Sequence, residues 1–86
     1  MTVYILRCAD GTLYTGYTPN IEKRLAVHNS GHGAKYTRTR TPVTLVYTET
    51  YTSKSEALRR EAAIKKLTRE QKLTLIEQGE KSYAGK

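Results

Sequence analysis

VYILRCADGTLYTGYT, residues 3–18, carries two strand-like runs on either side of a turn, and the length of that turn decides which side chains share a face. Val3 to Cys8 reads as one strand, and Leu13 to Tyr17 returns antiparallel, because Asp-Gly between apolar runs is a strong hairpin signal. A two-residue Asp10-Gly11 loop would pair Tyr4 with Tyr17 and put Tyr14 on the opposite face from Tyr4. A three-residue loop, Ala9 to Gly11 with the glycine left-handed, would pair Leu6 with Tyr14 and Tyr4 with Gly16. The second arrangement is the expected one, and it sets two phenols side by side.

Working outward, Thr18 or Asn20 can cap a helix from about Ile21 to His28, with Pro19 fixing the chain near its start. Ser30 to Pro42, SGHGAKYTRTRTP, has no apolar period and reads as a long basic loop whose glycines let it adapt to a partner. Val43, Leu45 and Tyr47 then alternate with Thr44, Val46 and Thr48 as a third strand. Ser53 with Glu56 forms a capping box that opens a helix to Leu67. Thr68 with Gln71 repeats the signature for a last helix, expected to close at Gly79. The order ββαβαα describes an α+β fold, a three-stranded antiparallel sheet packed with about three helices. One domain over residues 1–79 is expected, with 80–86 as a flexible tail.

Eighty-six residues suffice for one small core. A lone cysteine, Cys8, excludes an intrachain disulfide and a thiolate-rich metal site. No stretch approaches the roughly 20 apolar residues that span a bilayer, so a cytoplasmic protein without a membrane partner is expected. Fifteen Lys and Arg against eight Asp and Glu give a net charge of +7, a field that concentrates polyanions, nucleic acid first. Lys35, Tyr36, Arg38 and Arg40 in the basic segment suit a phosphate backbone with an adjacent stacked base.

The helices carry polar residues where apolar ones belong. Ile21, Arg24, Leu25 and His28 occupy one stripe of the first helix, and Glu61 falls between Ala57 and Ile64 on the next. An arginine on a buried stripe needs an anion, a set of carbonyls or a bound ligand. Ordinary alternatives are a snorkelling arginine, a histidine satisfied by a backbone carbonyl, and surface ion pairs Glu61–Lys65 and Glu56–Arg60. One arrangement uses all of these residues: a phosphodiester lying over Tyr4 and Tyr14, steadied by Arg24. A single Mg²⁺ or Mn²⁺ on one carboxylate would then assist the leaving oxygen. Tyrosine is a weak base at its ordinary pKa of about 10, but Arg24, a metal and a protonated His28 would favour the phenolate.

VYI at 3–5, YTG at 14–16, Arg24 eight residues beyond Gly16, His28 one turn later and Glu61 in the following helix resemble the GIY-YIG endonuclease superfamily. HNSGHGAKYTRTRTPVTLVY and EALRREAAIKKL resemble its small stand-alone bacterial members. The resemblance runs from Val3 to about Ile76 and implies single-metal cleavage of DNA phosphodiesters, with DNA repair or recombination as the setting. It makes Glu61 the metal ligand, Arg24 the phosphate-steadying group, and Tyr14 or Tyr4 the group that orients or deprotonates the nucleophilic water. His28 matches a position where relatives have histidine or tyrosine, and Gly16 lets substrate approach the strand. Tyr17 stands where some relatives have a lysine, and no asparagine follows Glu61. RNA remains an alternative substrate, and the chain is expected to be a monomer or weak dimer. The alternative function is a nucleic-acid-binding module of the same fold with little or no catalysis.

Overall fold

Thr2–Arg7 (β1) is the central strand of a three-stranded antiparallel sheet, between Leu13–Thr18 (β2) and Thr44–Thr50 (β3). This computed structural model describes residues 1–84, with side chains through Gly79. The unbroken apolar run of β1 fits the central place, because both of its faces are covered. Val3 and Ile5 pack with Ala57, Ile64 and Ile76 on one face, whereas Tyr4, Leu6 and Cys8 pack with Val43, Ile21 and Leu25 on the other. Ile21–Asn29 (α1) covers the Tyr4 face. Lys54–Lys65 (α3) and Arg69–Ala84 (α4) cover the Val3 face, and the four-residue Lys35–Arg38 (α2) lies between α1 and β3 in sequence.

The hairpin adopts the three-residue loop. Leu6 pairs with Tyr14 and Tyr4 with Gly16, while Cys8 N donates to Thr12 O at 2.8 Å. Gly11 has φ +84°, a left-handed conformation that costs glycine little. Asp10 Oδ1 closes the turn by accepting from Thr12 N and Oγ1 at 3.1 and 2.6 Å. Asn20 is the cap of α1, its side chain accepting from Lys23 N. Ser53 Oγ accepts from Glu56 N at α3, and at α4 Thr68 and Gln71 satisfy each other's backbone N–H at 3.2 and 2.9 Å.

The structure departs from the sequence reading in three places. The expected Val43–Leu45–Tyr47 alternation is broken, because β1 pairs Ile5 with Tyr47 and Leu6 with Leu45 and so leaves Val46 as an extra residue. This bulge sends Leu45 to the Tyr4 face and Tyr47 to the other. The basic segment is not an unstructured loop, since α2 forms within it. Asn29 pins the segment's far end by exchanging two side-chain hydrogen bonds with Val43 (3.1 and 2.7 Å), and Ala9 N donates to Arg40 O at 2.8 Å. A fourth helix is thereby added to the three expected. Gly79 does not end α4, which continues to Ala84. A Cβ at Gly79 would meet the Tyr47 ring at 2.9 Å, so glycine here admits close helix–sheet contact. The flexible tail expected at 80–86 therefore begins inside the helix; its side chains and residues 85–86 lie outside the described residues. No helix among the described residues is long and apolar enough to cross a membrane.

Candidate active site

The hairpin register places Tyr4 and Tyr14 on the α1 face with ring centroids 6.4 Å apart. Tyr4 is 1% exposed, and its hydroxyl lies over Gly16, where an added Cβ would meet it at 2.6 Å. Any side chain at Gly16 would drive the phenol out of place. Within the strand pair, then, the glycine makes room for Tyr4, in addition to any approach of a substrate.

α1 brings Arg24 and His28 to these phenols. His28 is fully buried, with Nε2 3.0 Å from the Tyr4 hydroxyl and Nδ1 2.7 Å from Thr37 Oγ1. Its ring also meets Tyr14 edge-on at 5.4 Å. The ordinary alternative of a backbone carbonyl partner does not apply: its partners are two hydroxyls. Arg24 is half-buried; the adjacent Tyr4 hydroxyl raises its pKa further, and its Nε is buried with no partner. An unpaired buried guanidinium nitrogen on a stripe facing two phenols is an unfinished anion site.

Electrostatics of the metal-free protein bear on Tyr4 and His28. Burial pushes the Tyr4 phenol above its ordinary 10.0; the Arg24 hydrogen bond pulls the other way, and the nearby Tyr14 and Glu61 charges push it up again. Burial therefore outweighs the Arg24 cation, and Tyr4 is a neutral phenol in the free protein. Burial, followed by the Arg24 charge, holds His28 below its ordinary 6.5, so the ring is neutral rather than protonated at pH 7.

Glu61 comes from α3, which packs against β1 and β2, and its charge reaches Tyr4. The carboxylate is 16% exposed, with Lys65 Nζ 3.8 Å from Oε2, so the helix pair exists but is long and loose. No group of three or more His, Cys, Asp or Glu gathers among the described residues. A single carboxylate still fits a hard divalent ion that keeps most of its waters.

The basic segment borders this patch. Tyr36 stacks on Tyr14 at 5.9 Å between centroids, and the Arg40 guanidinium lies 4.2 Å from the Tyr36 ring centre. Arg40 also bonds Asp10 at 3.0 Å and the Tyr36 carbonyl at 2.7 Å. The stacking capacity of Tyr36 is therefore already engaged within the protein, whereas Lys35 and Arg38 are exposed. Lys35, Tyr36, Arg38, Thr39 and Arg40 line one surface depression. Gly33 serves packing more than flexibility, because a Cβ there would lie 2.4 Å from His28 Nδ1.

The GIY-YIG catalytic domain model matches residues 1–74. The chain belongs to the GIY-YIG family. That family is one of nucleases, whose substrate is nucleic acid and whose members typically use a divalent metal. Similar GIY-YIG proteins include a UPF0213 protein of Staphylococcus haemolyticus, 62% identical over 76 residues that cover 88% of this chain and 93% of the relative. A UPF0213 protein of Halobacterium salinarum is 62% identical over 74 residues, 86% of this chain and 96% of the relative. Two solution NMR structures share the fold. The UPF0213 protein of Bacillus halodurans has a TM-score of 0.58 at 50% identity, covering 88% of this chain and 81% of its own. A protein of E. faecalis has a TM-score of 0.59 at 48% identity, covering 99% and 86%.

Two residues that hold the candidate site together escaped the sequence reading. Thr37 is fully buried against His28, yet nothing distinguishes it within KYTRTRTP. Asp10 was assigned only to the turn, but it also holds Arg40 beside the site. The expected Glu56–Arg60 pair is not the one that forms: Arg60 turns to Glu49, at 2.7 and 2.9 Å.

Proposed function

We propose that this GIY-YIG protein is a metal-dependent endonuclease that hydrolyses DNA phosphodiester bonds at the patch of Tyr4, Tyr14, Arg24, His28 and Glu61. The observation that carries this reading is Arg24, whose Nε is buried without a partner beside two phenols. A scissile phosphate supplies the missing acceptors. Arg24 binds its non-bridging oxygens and offsets the charge that grows there during attack. Tyr14 is the less buried phenol, so it meets the attacking water and orients it or takes its proton; Tyr4, held by His28, fixes the guanidinium. Glu61 would hold Mg²⁺ or Mn²⁺, which when bound supplies positive charge for the leaving oxygen. Lys35, Arg38 and Arg40 bind the flanking backbone, and Tyr36 backs Tyr14.

The test is an assay of purified protein on duplex, branched and single-stranded DNA and on RNA, with Mg²⁺, Mn²⁺ or chelator. Metal-dependent cleavage of DNA is expected, with Glu61→Ala reduced to background while its DNA binding stays close to wild type. DNA binding without cleavage by the wild-type protein would identify a binding module instead. Cleavage that persists in Glu61→Ala would expose a contaminating nuclease.

A further inference from the structure

We propose that Thr37 is a positioning residue: it fixes His28 as the Nδ1–H tautomer, and through His28 it turns the lone pairs of the Tyr4 hydroxyl toward Arg24. The tautomer follows from counting protons. Thr37 has one hydroxyl proton, and its Oγ1 lies 3.0 Å from the Ala34 carbonyl, an oxygen that can only accept. With that proton on Ala34, whose carbonyl also accepts from Thr37 N and Arg38 N, the ring nitrogen is the donor at the 2.7 Å contact between Thr37 Oγ1 and His28 Nδ1. A neutral imidazole carries one N–H, which leaves Nε2 bare to accept from the Tyr4 hydroxyl at 3.0 Å.

The same assignment follows from the other end of the chain. Arg24, beside Tyr4, has donors only and cannot take the phenol proton, which must go to another acceptor. His28 Nε2 is that acceptor. With the opposite tautomer, Nε2–H would donate to Tyr4 and the phenol proton would face a guanidinium that cannot accept it. The relay thus runs Tyr4 to His28 to Thr37 to Ala34, each group donating to the next. α2 and its N-cap residue, Ala34, supply the last two members, and Gly33 leaves no room for the ring to swing.

The catalytic meaning of this relay rests on the endonuclease reading, because Arg24 is there the phosphate-binding group. The tautomer itself does not, and the experiment separates the two. Long-range ¹H–¹⁵N correlation spectra of the free wild-type protein should show a pyrrole-type Nδ1 and a pyridine-type Nε2 at His28. Thr37→Ser should keep that signature, whereas Thr37→Val, which keeps the shape and loses the hydroxyl, should shift the ring toward the Nε2–H form. On DNA, Thr37→Val should lower turnover roughly 10-fold, on the scale of losing a histidine's orienting hydrogen bond, with Thr37→Ser restoring it and substrate binding unchanged in both. An Nε2–H or doubly protonated His28 in the wild-type spectrum overturns the proposal without needing any variant. So does a Thr37→Val protein with wild-type tautomer and turnover. Failure of the wild-type protein to cleave any nucleic acid would instead count against the endonuclease reading.

Discussion

Two clusters in this small domain are built from the same residue types, two tyrosines, an arginine and a glutamate, and they differ in whether their hydrogen bonds are complete. On β3 and α3, Glu49 accepts from both Tyr47 and Tyr51 and takes a two-pronged bond from Arg60. It is a finished structural joint: the Glu49 side chain is 15% exposed and its carboxylate is supplied with donors. Burial followed by the Glu49 hydrogen bond pushes the Tyr47 phenol up to about 12, while the Arg60 and tyrosine donors hold Glu49 below its ordinary 4.5 against its own burial. Tyr4, Tyr14 and Arg24 on the α1 face, with Glu61 of α3, form no such closed set. Glu61 has a 3.8 Å lysine, and Arg24 Nε has nothing. A saturated cluster ties strand to helix, whereas an unsaturated one keeps bonding capacity for a ligand.

That contrast is open to breakage at both ends. Arg24→Ala should lower turnover about 10²- to 10³-fold, the scale of losing a donor to a developing oxyanion, with little change in thermal stability. Kinetics and a melting curve on the same protein check both halves. Glu49→Gln should do the reverse, leaving turnover nearly intact but costing about 2–3 kcal/mol by denaturant unfolding, as for hydrogen bonds to a charged group. Arg60 is over a third exposed, which holds the effect to that range rather than to that of a fully buried pair.

The same cluster predicts a pH dependence. Because Glu49 is depressed in the folded state, the unfolded chain binds more protons in acid. Its contribution is present above the ordinary value of 4.5 and is lost as pH falls through the lower folded value. Wild-type stability should therefore fall more steeply below about pH 4.5 than that of Glu49→Gln, as unfolding curves across that window will show. The smallest expected effect belongs to the basic rim. Neutralising Lys35, Arg38 and Arg40 together should weaken DNA binding and reduce the salt slope by roughly 2–3, as titrations at several salt concentrations measure.

The two clusters also differ in how far the sequence revealed them. Tyr4, Tyr14, Arg24 and Glu61 were legible because each breaks a local rule: the hairpin turn sets the phenols' register, and a charge stands in each apolar helical stripe. Such inconsistencies need no tertiary information to detect. Glu49 breaks no rule, sitting in TETY as an ordinary polar strand residue, and its partner Arg60 is eleven positions away on another element. The sequence reading paired Arg60 with Glu56 because only i, i+4 neighbours are visible locally. Val46 and Thr37 were hidden for the same reason. A bulge is decided by packing on two faces at once, and α2 is a single turn held by His28, Asn29 and Ala9 rather than by any period of its own.

The most direct test of the difference is to add Mn²⁺ to ¹⁵N-labelled protein and map which resonances its unpaired electrons broaden. Signals of Tyr4, Tyr14, Arg24 and Glu61 should broaden first while those of Tyr47, Glu49 and Tyr51 stay sharp, and Glu61→Ala should abolish the effect. Broadening centred on Glu49, or unchanged by Glu61→Ala, would contradict the account.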